Sequence, residues 1–344
     1  MSDICQPYSP KVTVSIIIPV YQAVDVLERC VTSVIEQDFP NIEILMVDDG
    51  STDSSLSVAE DLQRIYQCIR IIRLSHGGVS TARNQGIKEA TGEWLLFLDA
   101  DDALCPGALQ IIKNEMKPGC DAIYGMVVRD SCCADNMSSK KTLYTSKEKH
   151  ELLNDVMADS TNKLTCHAWL LRRDIVLRYC IWFSTSLCMG EDSDWMIRYL
   201  SVCGNVCFLK VPVYRYTINA DSTIHHWKTG ITDGYLKTLT TIGESPVSQE
   251  KNWSLFVLTT FLLILTHDIF HPDNPTKLFE KIHYARRIKA LRCFSDAFRL
   301  ANYSCLCQSK RIVLTCSRYN LFFLVYIAVR IRQRQNLNHA KQQQ

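Results

Sequence analysis

The run VTVSIIIPV, Val12–Val20, is the feature that most restricts the fold. It is dominated by β-branched residues with no polar alternation, the mark of a strand buried on both faces. A strand covered on both faces needs helices on either side of its sheet, and the next hundred residues supply them. Val26, Leu27, Cys30, Val31, Val34 and Ile35 give Val24–Glu36 helical spacing. Ile42–Val47 reads as a second strand. Asp53 starts a helix with Ser54 and Ser55 at its entrance and an inner face of Leu56, Ala59, Leu62 and Ile65. Ile69–Leu74 is a third strand, and Val79–Ala90 is a helix that stops at Gly92. Trp94–Leu98 is a fourth strand, Pro106 opens a further helix, and Ala122–Val128 is a fifth strand. Strands alternating with helices through short links predict an α/β fold whose sheet is mostly parallel and covered on both faces.

In such sheets ligands sit beyond the carboxyl ends of the strands. Two acidic clusters fall there. The second strand ends in Asp48-Asp49-Gly50-Ser51-Thr52-Asp53, and the fourth in Asp99-Ala100-Asp101-Asp102. Carboxylates packed together repel unless a cation or donor groups relieve them. Asp99-x-Asp101 offers two hard oxygen ligands on one turn, suited to Mg2+ or Mn2+ with a substrate phosphate; the bland counterpart is helix capping ahead of Pro106. No G-x-G-x-x-G follows the first strand. No G-x-x-x-x-G-K-[ST] occurs, since Gly77-Gly78 leads into Val79-Ser80. A dinucleotide fold and an NTPase loop are therefore unsupported.

Charge and cysteine usage narrow the class further. The net charge of +2 gives the 344-residue chain no strong pull towards nucleic acid. The charge is uneven, however: from Lys281 onward cations dominate, with Asp296 the clear exception. Such a tail meets an acidic partner or anionic lipid, or is simply a solvated helical face. The opening MSDICQPYSPK has no long apolar run, so a cytoplasmic, reducing compartment is expected, with nearly all of the 16 cysteines as small core residues. Their spacings with histidine make no zinc pattern. No apolar segment reaches the ~20 residues of a spanning helix. Trp253–Thr266 meets His267 and Asp268, and Leu321–Val329 runs into Arg330. Leu321–Arg334, aromatic and then basic, reads as either a core helix or one lying on a membrane surface.

The ordered set SIIIPVYQA (Ser15–Ala23), SVIEQ (Ser33–Gln37), EILMVDDGSTD (Glu43–Asp53), GGVSTARNQGIKEATGEWLLFLDADD (Gly77–Asp102), GEDSDW (Gly190–Trp195) and VYRYTINADST (Val213–Thr223) resembles the family 2 inverting glycosyltransferases of the GT-A fold, over roughly residues 12–225. The resemblance implies a Rossmann-like sheet with a C-terminal helical extension. It divides the chain into a GT-A domain at 1–228 and a helical region at 229–344. The first splits into a nucleotide-sugar half at about 12–128 and an acceptor half at about 129–228.

The resemblance implies the following roles, position by position. Pro19 and Tyr21 border the nucleotide base, and Asp49 hydrogen-bonds it. Arg83 lines the donor site. Asp99 touches the ribose or the metal shell, Asp101 ligates the metal, and Asp192, beside Glu191, is the catalytic base. Each role is chemically sensible. A leaving diphosphate needs its growing charge met, and an attacking hydroxyl needs a carboxylate to take its proton. The alternative for Glu191, Asp192 and Asp194 is an acidic first turn favoured by the helix dipole.

Three positions carry two readings each. His225 or His226 is a further metal or donor contact, or a surface pair. His76 touches the donor or is a plain loop residue. Trp169, in a stretch resembling the acceptor-side helix (Leu164–Arg173), stacks on an acceptor sugar or sits in the core. Ser131–Lys163 is polar and weakly patterned, and nothing in it names an acceptor.

The implied activity is metal-assisted single displacement from a nucleotide sugar, UDP by family habit, onto a glycan or lipid-linked acceptor. Its setting would be bacterial surface polysaccharide or lipopolysaccharide synthesis at the inner membrane face. A nucleotidyltransferase would carry a Gly-rich basic loop where Pro19-Val20-Tyr21-Gln22 stands. A non-catalytic sugar-nucleotide binder would have lost Asp101 or Asp192, and a scaffold would not need two acidic strand ends. Beyond 230 the sequence predicts helices at Gly234–Ile242, Asn252–Phe270, Thr276–Ala301 and Arg311–Arg334.

Overall fold

The structure, a computed structural model, describes residues 14–129, 141–217 and 227–341, with side chains to 335. Val14–Val20 forms β1, Leu27–Ile35 α1, Ile42–Asp48 β2, Ser55–Ile65 α2, Ile69–Arg73 β3, Val79–Glu89 α3 and Trp94–Phe97 β4. Then come β5 (Ala103–Leu104), α4 (Ala108–Lys113), β6 (Ala122–Arg129), β7 (Lys141–Tyr144), α5 (Lys149–Ala158) and α6 (Ser160–Lys163). β8 (Trp169–Arg172) runs into α7 (Arg173–Arg178), and α8 (Glu191–Val202) precedes β9 (Val206–Tyr216). The helices α9 (Ile231–Gly243), α10 (Trp253–Ile264), α11 (Leu278–Ala290), α12 (Arg292–Leu300), α13 (Gln308–Arg318) and α14 (Phe322–Lys341) complete it.

The chain divides into two compact units. The first holds the described residues of 1–143, 167–183 and 203–217, and with them the sheet. Its strand order is β3-β2-β1-β4-β8-β6-β9-β5, with β7 on β9. β1 pairs in parallel with β2 and β4, and β2 with β3. Val14, Ile16, Ile17 and Ile18 of β1 are wholly buried, as the unbroken apolar run requires. Register places the site: Val20 lies opposite Asp48, and Ile17 opposite Phe97. The strand ends at Tyr21, Asp49 and Leu98 therefore share one edge of the sheet. The sheet departs from the expected parallel run where β8 enters antiparallel between β4 and β6. The stretch Leu164–Arg173, expected as an acceptor-side helix, instead carries this strand.

At the opposite edge a buried carboxylate ties β1, β2 and the turn before β4 together. One oxygen of Glu43, 6% exposed, accepts from Ser15 Oγ (2.6 Å), Thr91 N (2.6 Å), Thr91 Oγ1 (2.8 Å) and Gly92 N (3.3 Å). Gly92 fits only because it lacks a Cβ, which would stand 2.6 Å from Ser15 Oγ. Burial alone would raise the Glu43 pKa, but these donors and Arg70 hold it below the ordinary value. Glu43→Ala is expected to lower unfolding free energy by about 2–4 kcal/mol, because the donors lose their acceptor. In wild type this contribution is present above the ordinary glutamate range and fades as pH falls through the depressed folded value. Urea unfolding of both proteins against pH checks both statements; parallel curves would remove Glu43 from the acid response.

The second unit holds the described residues of 144–166, 184–202 and 218–344 and is helical. It takes in α5, α6 and α8, which the division at 228 places with the first domain. α10 is its core helix, buried from Leu255 through Phe261. Thr276–Ala301, expected as one helix, breaks at Leu291, whose ψ of 140° leaves the helical region. Arg311–Arg334 breaks at Asn320, which adopts φ 60°. The described cysteines are free, and where nearly all were expected in the core, Cys180, Cys188, Cys293, Cys305 and Cys307 are exposed. No helix among the described residues is long and apolar enough to cross a membrane.

Candidate active site

At the end of β2, Asp49 is 3% exposed and bound on both oxygens. Gly77 N and Gly78 N each donate to it at 2.8 Å, and His76 Nδ1 lies 3.0 Å from Oδ2. The glycine pair that fits no NTPase loop thus receives this carboxylate at the start of α3. His76 also lies against the Tyr21 ring, with centroids 4.5 Å apart and planes 30° apart. Tyr21 remains half exposed, so an aromatic face beside a buried carboxylate opens at the sheet edge. Pro19, opposite Val47, is the one residue of β1 that is not fully buried.

The second cluster follows β4. Asp99, Asp101 and Asp102 each bring a carboxylate oxygen into a group whose members lie within 4.8 Å of one another. They differ in what already neutralises them. Asp99 Oδ1 accepts from Arg83 Nη2 at 3.1 Å, and its Oδ2 lies 3.0 Å from His167 Nε2. Burial would raise the Asp99 pKa, but His167 and Arg83 outweigh it and hold the group well below the carboxylate range. Asp102, 1% exposed, accepts from Tyr214 Oη (2.5 Å) and Thr217 N (2.7 Å). Burial, and then the charges of Asp99 and Asp101, push it up to about 7. Asp101 is raised by burial and by Asp99. Its carboxylate has no hydrogen-bond or ion-pair partner on another described residue. Its backbone oxygen, by contrast, is held by Arg29 of α1. The loop is fixed by its backbone and by its outer carboxylates, leaving Asp101 available.

Arg83 is 3% exposed and lies 5.3 Å from the Phe183 ring centre, so it belongs beside Asp99, inside the sheet edge. Two further residues of this group, His167 and Tyr214, lie outside the sequence assignment. His167 stacks on Tyr214 at 5.0 Å. Tyr214 falls within the run VYRYTINADST without a role assigned to it there, and His167 falls in none of the matching runs; each reaches the loop from a distant stretch of chain. Tyr214 accepts from Asp99 N (3.3 Å) while donating to Asp102, so one hydroxyl links both ends of the turn. Tyr214→Phe is expected to weaken manganese binding by about 10-fold to 100-fold with the fold retained. Calorimetric titration with manganese checks it; unchanged affinity would show that the hydroxyl serves packing alone.

In the second unit, α8 opens on Glu191, Asp192 and Asp194 after Gly190, whose φ is 74°. A Cβ at Gly190 would stand 2.9 Å from Thr238 Cγ2 of α9, so only glycine permits this entry. The three acids separate in role. Asp194 is 4% exposed and bound by Arg198 Nη2 at 2.6 Å. Asp192 is partly exposed, and its Oδ1 accepts from Cys166 Sγ at 3.5 Å. Glu191 is also partly exposed, and after burial its charge is the second cause that raises the Tyr235 phenol.

Trp169 is a correction. It is wholly buried between Tyr124 (4.9 Å) and Phe208 (5.4 Å), where no sugar can reach its faces. His225 and His226 lie outside the described residues.

Residues 15–179 match the family model described as Glycosyl transferase family 2. The chain is 29% identical over 219 residues to the "Uncharacterized glycosyltransferase EpsJ" of Bacillus subtilis (strain 168), covering 61% of this chain and 62% of that protein. It therefore spans less than two thirds of that relative's length. S. aureus TarS 1-349, solved in complex with UDP-GlcNAc, matches with a TM-score of 0.61 at 18% identity, over 94% of this chain and 92% of that one. The mannosyltransferase PcManGT from Pyrobaculum calidifontis, solved with GDP-Man and Mn2+, matches with a TM-score of 0.53 at 16% identity, over 95% and 87% of the two chains. At these identities the solved structures speak for the fold, a GT-A α/β sheet flanked by helices.

Proposed function

We propose, from the match of residues 15–179 to the glycosyl transferase family 2 model, that the protein moves a sugar from a nucleotide-sugar donor to an acceptor hydroxyl with inversion. The observation that carries the reading is the common sheet edge. Parallel register aligns the Tyr21–Asp49 end with the Asp99–Asp102 end, and the second of these keeps one carboxylate without a partner among the described residues.

Each group then has a task. Tyr21 and Pro19 border the base, and Asp49 uses the lone pairs left by Gly77 and Gly78 to accept from it. Uracil is proposed as that base, in keeping with the UDP-GlcNAc of the TarS complex. Asp101 and Asp99 hold a divalent cation; carboxylate oxygens this close suit Mg2+ or Mn2+, and PcManGT was solved with Mn2+. Such a cation, when bound, supplies positive charge to the departing diphosphate. Arg83, paired to Asp99, fixes the carboxylate's direction and adds a second positive charge near the same oxygens. Asp192, with Glu191 beside it, takes the proton of the attacking hydroxyl as the new glycosidic bond forms and the bond to the diphosphate breaks. The acceptor is proposed to be a glycan or lipid-linked saccharide of the cell surface, met at the inner face of the membrane.

The test is donor turnover. Labelled nucleotide sugars are incubated with the protein and manganese, with and without chelator. Release of nucleoside diphosphate that the chelator abolishes is expected, and no turnover with any donor would overturn the reading.

A further inference from the structure

α14 is apolar on two faces. Phe322, Val325 and Val329 are at most 4% exposed and pack inward. At about 100° per residue, Phe323, Leu324, Ile327 and Ile331 fall on the side roughly opposite. They are 55%, 49%, 38% and 53% exposed. Tyr319 and Leu321, in the turn that leads into the helix, and Ile312 of α13 are exposed as well. A helix bathed in water on its outer side would carry polar residues there. An apolar outer face on a helix that already has a buried inner face calls for a second covering.

Charge decides what covers it. Between Ala297 and Gln344 the chain has eight Lys and Arg and no Asp or Glu. Arg332 and Arg334 are exposed on α14 beyond Ile331, and Arg318 is exposed just before Tyr319. A second copy docked through the same face would bring uncompensated cations against cations. A nucleic acid would match the charge but leaves the aliphatic and phenyl groups wet. An interface of anionic lipid meets both needs: apolar side chains enter the acyl boundary while arginines stay with the head groups.

We infer that the outward face of α14, with the turn at Tyr319–Leu321, lies in the surface of an anionic bilayer. This gives the peripheral location under the proposed function its residues and its lipid chemistry, and it rests on that reading only for the choice of membrane.

Flotation with phosphatidylcholine vesicles, with and without phosphatidylglycerol, tests it on the full chain. Wild type is expected on the anionic vesicles alone and to leave them at high salt. Phe323→Ser, Ile327→Ser and Ile331→Ser together should cut partitioning at least about 10-fold. Arg332→Gln with Arg334→Gln should cut it about 10-fold or more. All five positions are exposed, so folding is retained, and circular dichroism verifies it. Wild type that ignores anionic vesicles, or a triple serine variant that floats as wild type does, overturns the inference. So does a vesicle-free dimer that the triple variant dissolves, which would assign the face to a second copy. Donor turnover in vesicle-free buffer is unchanged in all variants, which separates failure here from failure of the transferase reading.

Discussion

Asp101→Ala is expected to lower metal-dependent donor turnover by about 1,000-fold or more while leaving the protein folded. The size follows from how unevenly the three carboxylates of the turn are satisfied. Asp99 is held by Arg83 and His167, and Asp102 by Tyr214 and the Thr217 N–H. Asp101 has no such partner among the described residues, and burial and Asp99 already disfavour its charge. Removing it costs little structurally, since its backbone contact with Arg29 survives the substitution. It takes away the carboxylate proposed to meet the cation. Asp102→Asn is the contrasting variant. It disturbs a buried carboxylate already committed to two donors, so its cost should appear in thermal stability as well as in turnover. Initial rates with manganese read the loss of turnover, and calorimetry of donor with manganese reads the ligand role behind it. If Asp101→Ala binds donor and metal as wild type does, the ligand assignment is wrong whatever happens to stability.

Local pattern reached the strands that make the site and stopped short of the partners that tune it. β1, β2 and β4 were legible because both-face burial leaves an unbroken apolar run, and Asp49, Asp99 and Asp101 were legible as their carboxyl ends. The order of strands was not. Trp169-Leu170-Leu171 is too short for periodicity to separate strand from helix, and its antiparallel place between β4 and β6 is set by pairing with distant residues. Trp169 is buried by that same pairing, which is why its acceptor role falls. The parts played by His167 and Tyr214 are not legible in the sequence for a related reason. Each bonds the acidic turn across a large sequence separation, which no spacing rule measures. In the C-terminal helices the breaks at Leu291 and Asn320 carry neither glycine nor proline, so the apolar pattern reads through them.

For Asp192→Asn the expected result is a split: donor affinity within about twofold of wild type, and transfer at saturating donor down by about 100-fold to 10,000-fold. Asparagine keeps the shape and can still accept from Cys166 Sγ, which lies 3.5 Å from the native carboxylate. What it lacks is basicity, and a hydroxyl attacking without a proton acceptor has to develop positive charge on oxygen. Two neighbours make the test sharper. The dipole explanation of this acidic turn predicts that Asp192 and Asp194 behave alike, each contributing only to the start of α8. Their surroundings say otherwise. Asp194 is buried and paired with Arg198, so Asp194→Asn should lower the unfolding midpoint and leave the rate per folded molecule near wild type. Asp192 is partly exposed, so its loss should show little in stability. Initial rates at saturating donor, set beside melting curves for both variants, separate the two explanations. Transfer by Asp192→Asn at the wild-type rate would leave the acidic turn as a helix start and send the search for the base elsewhere.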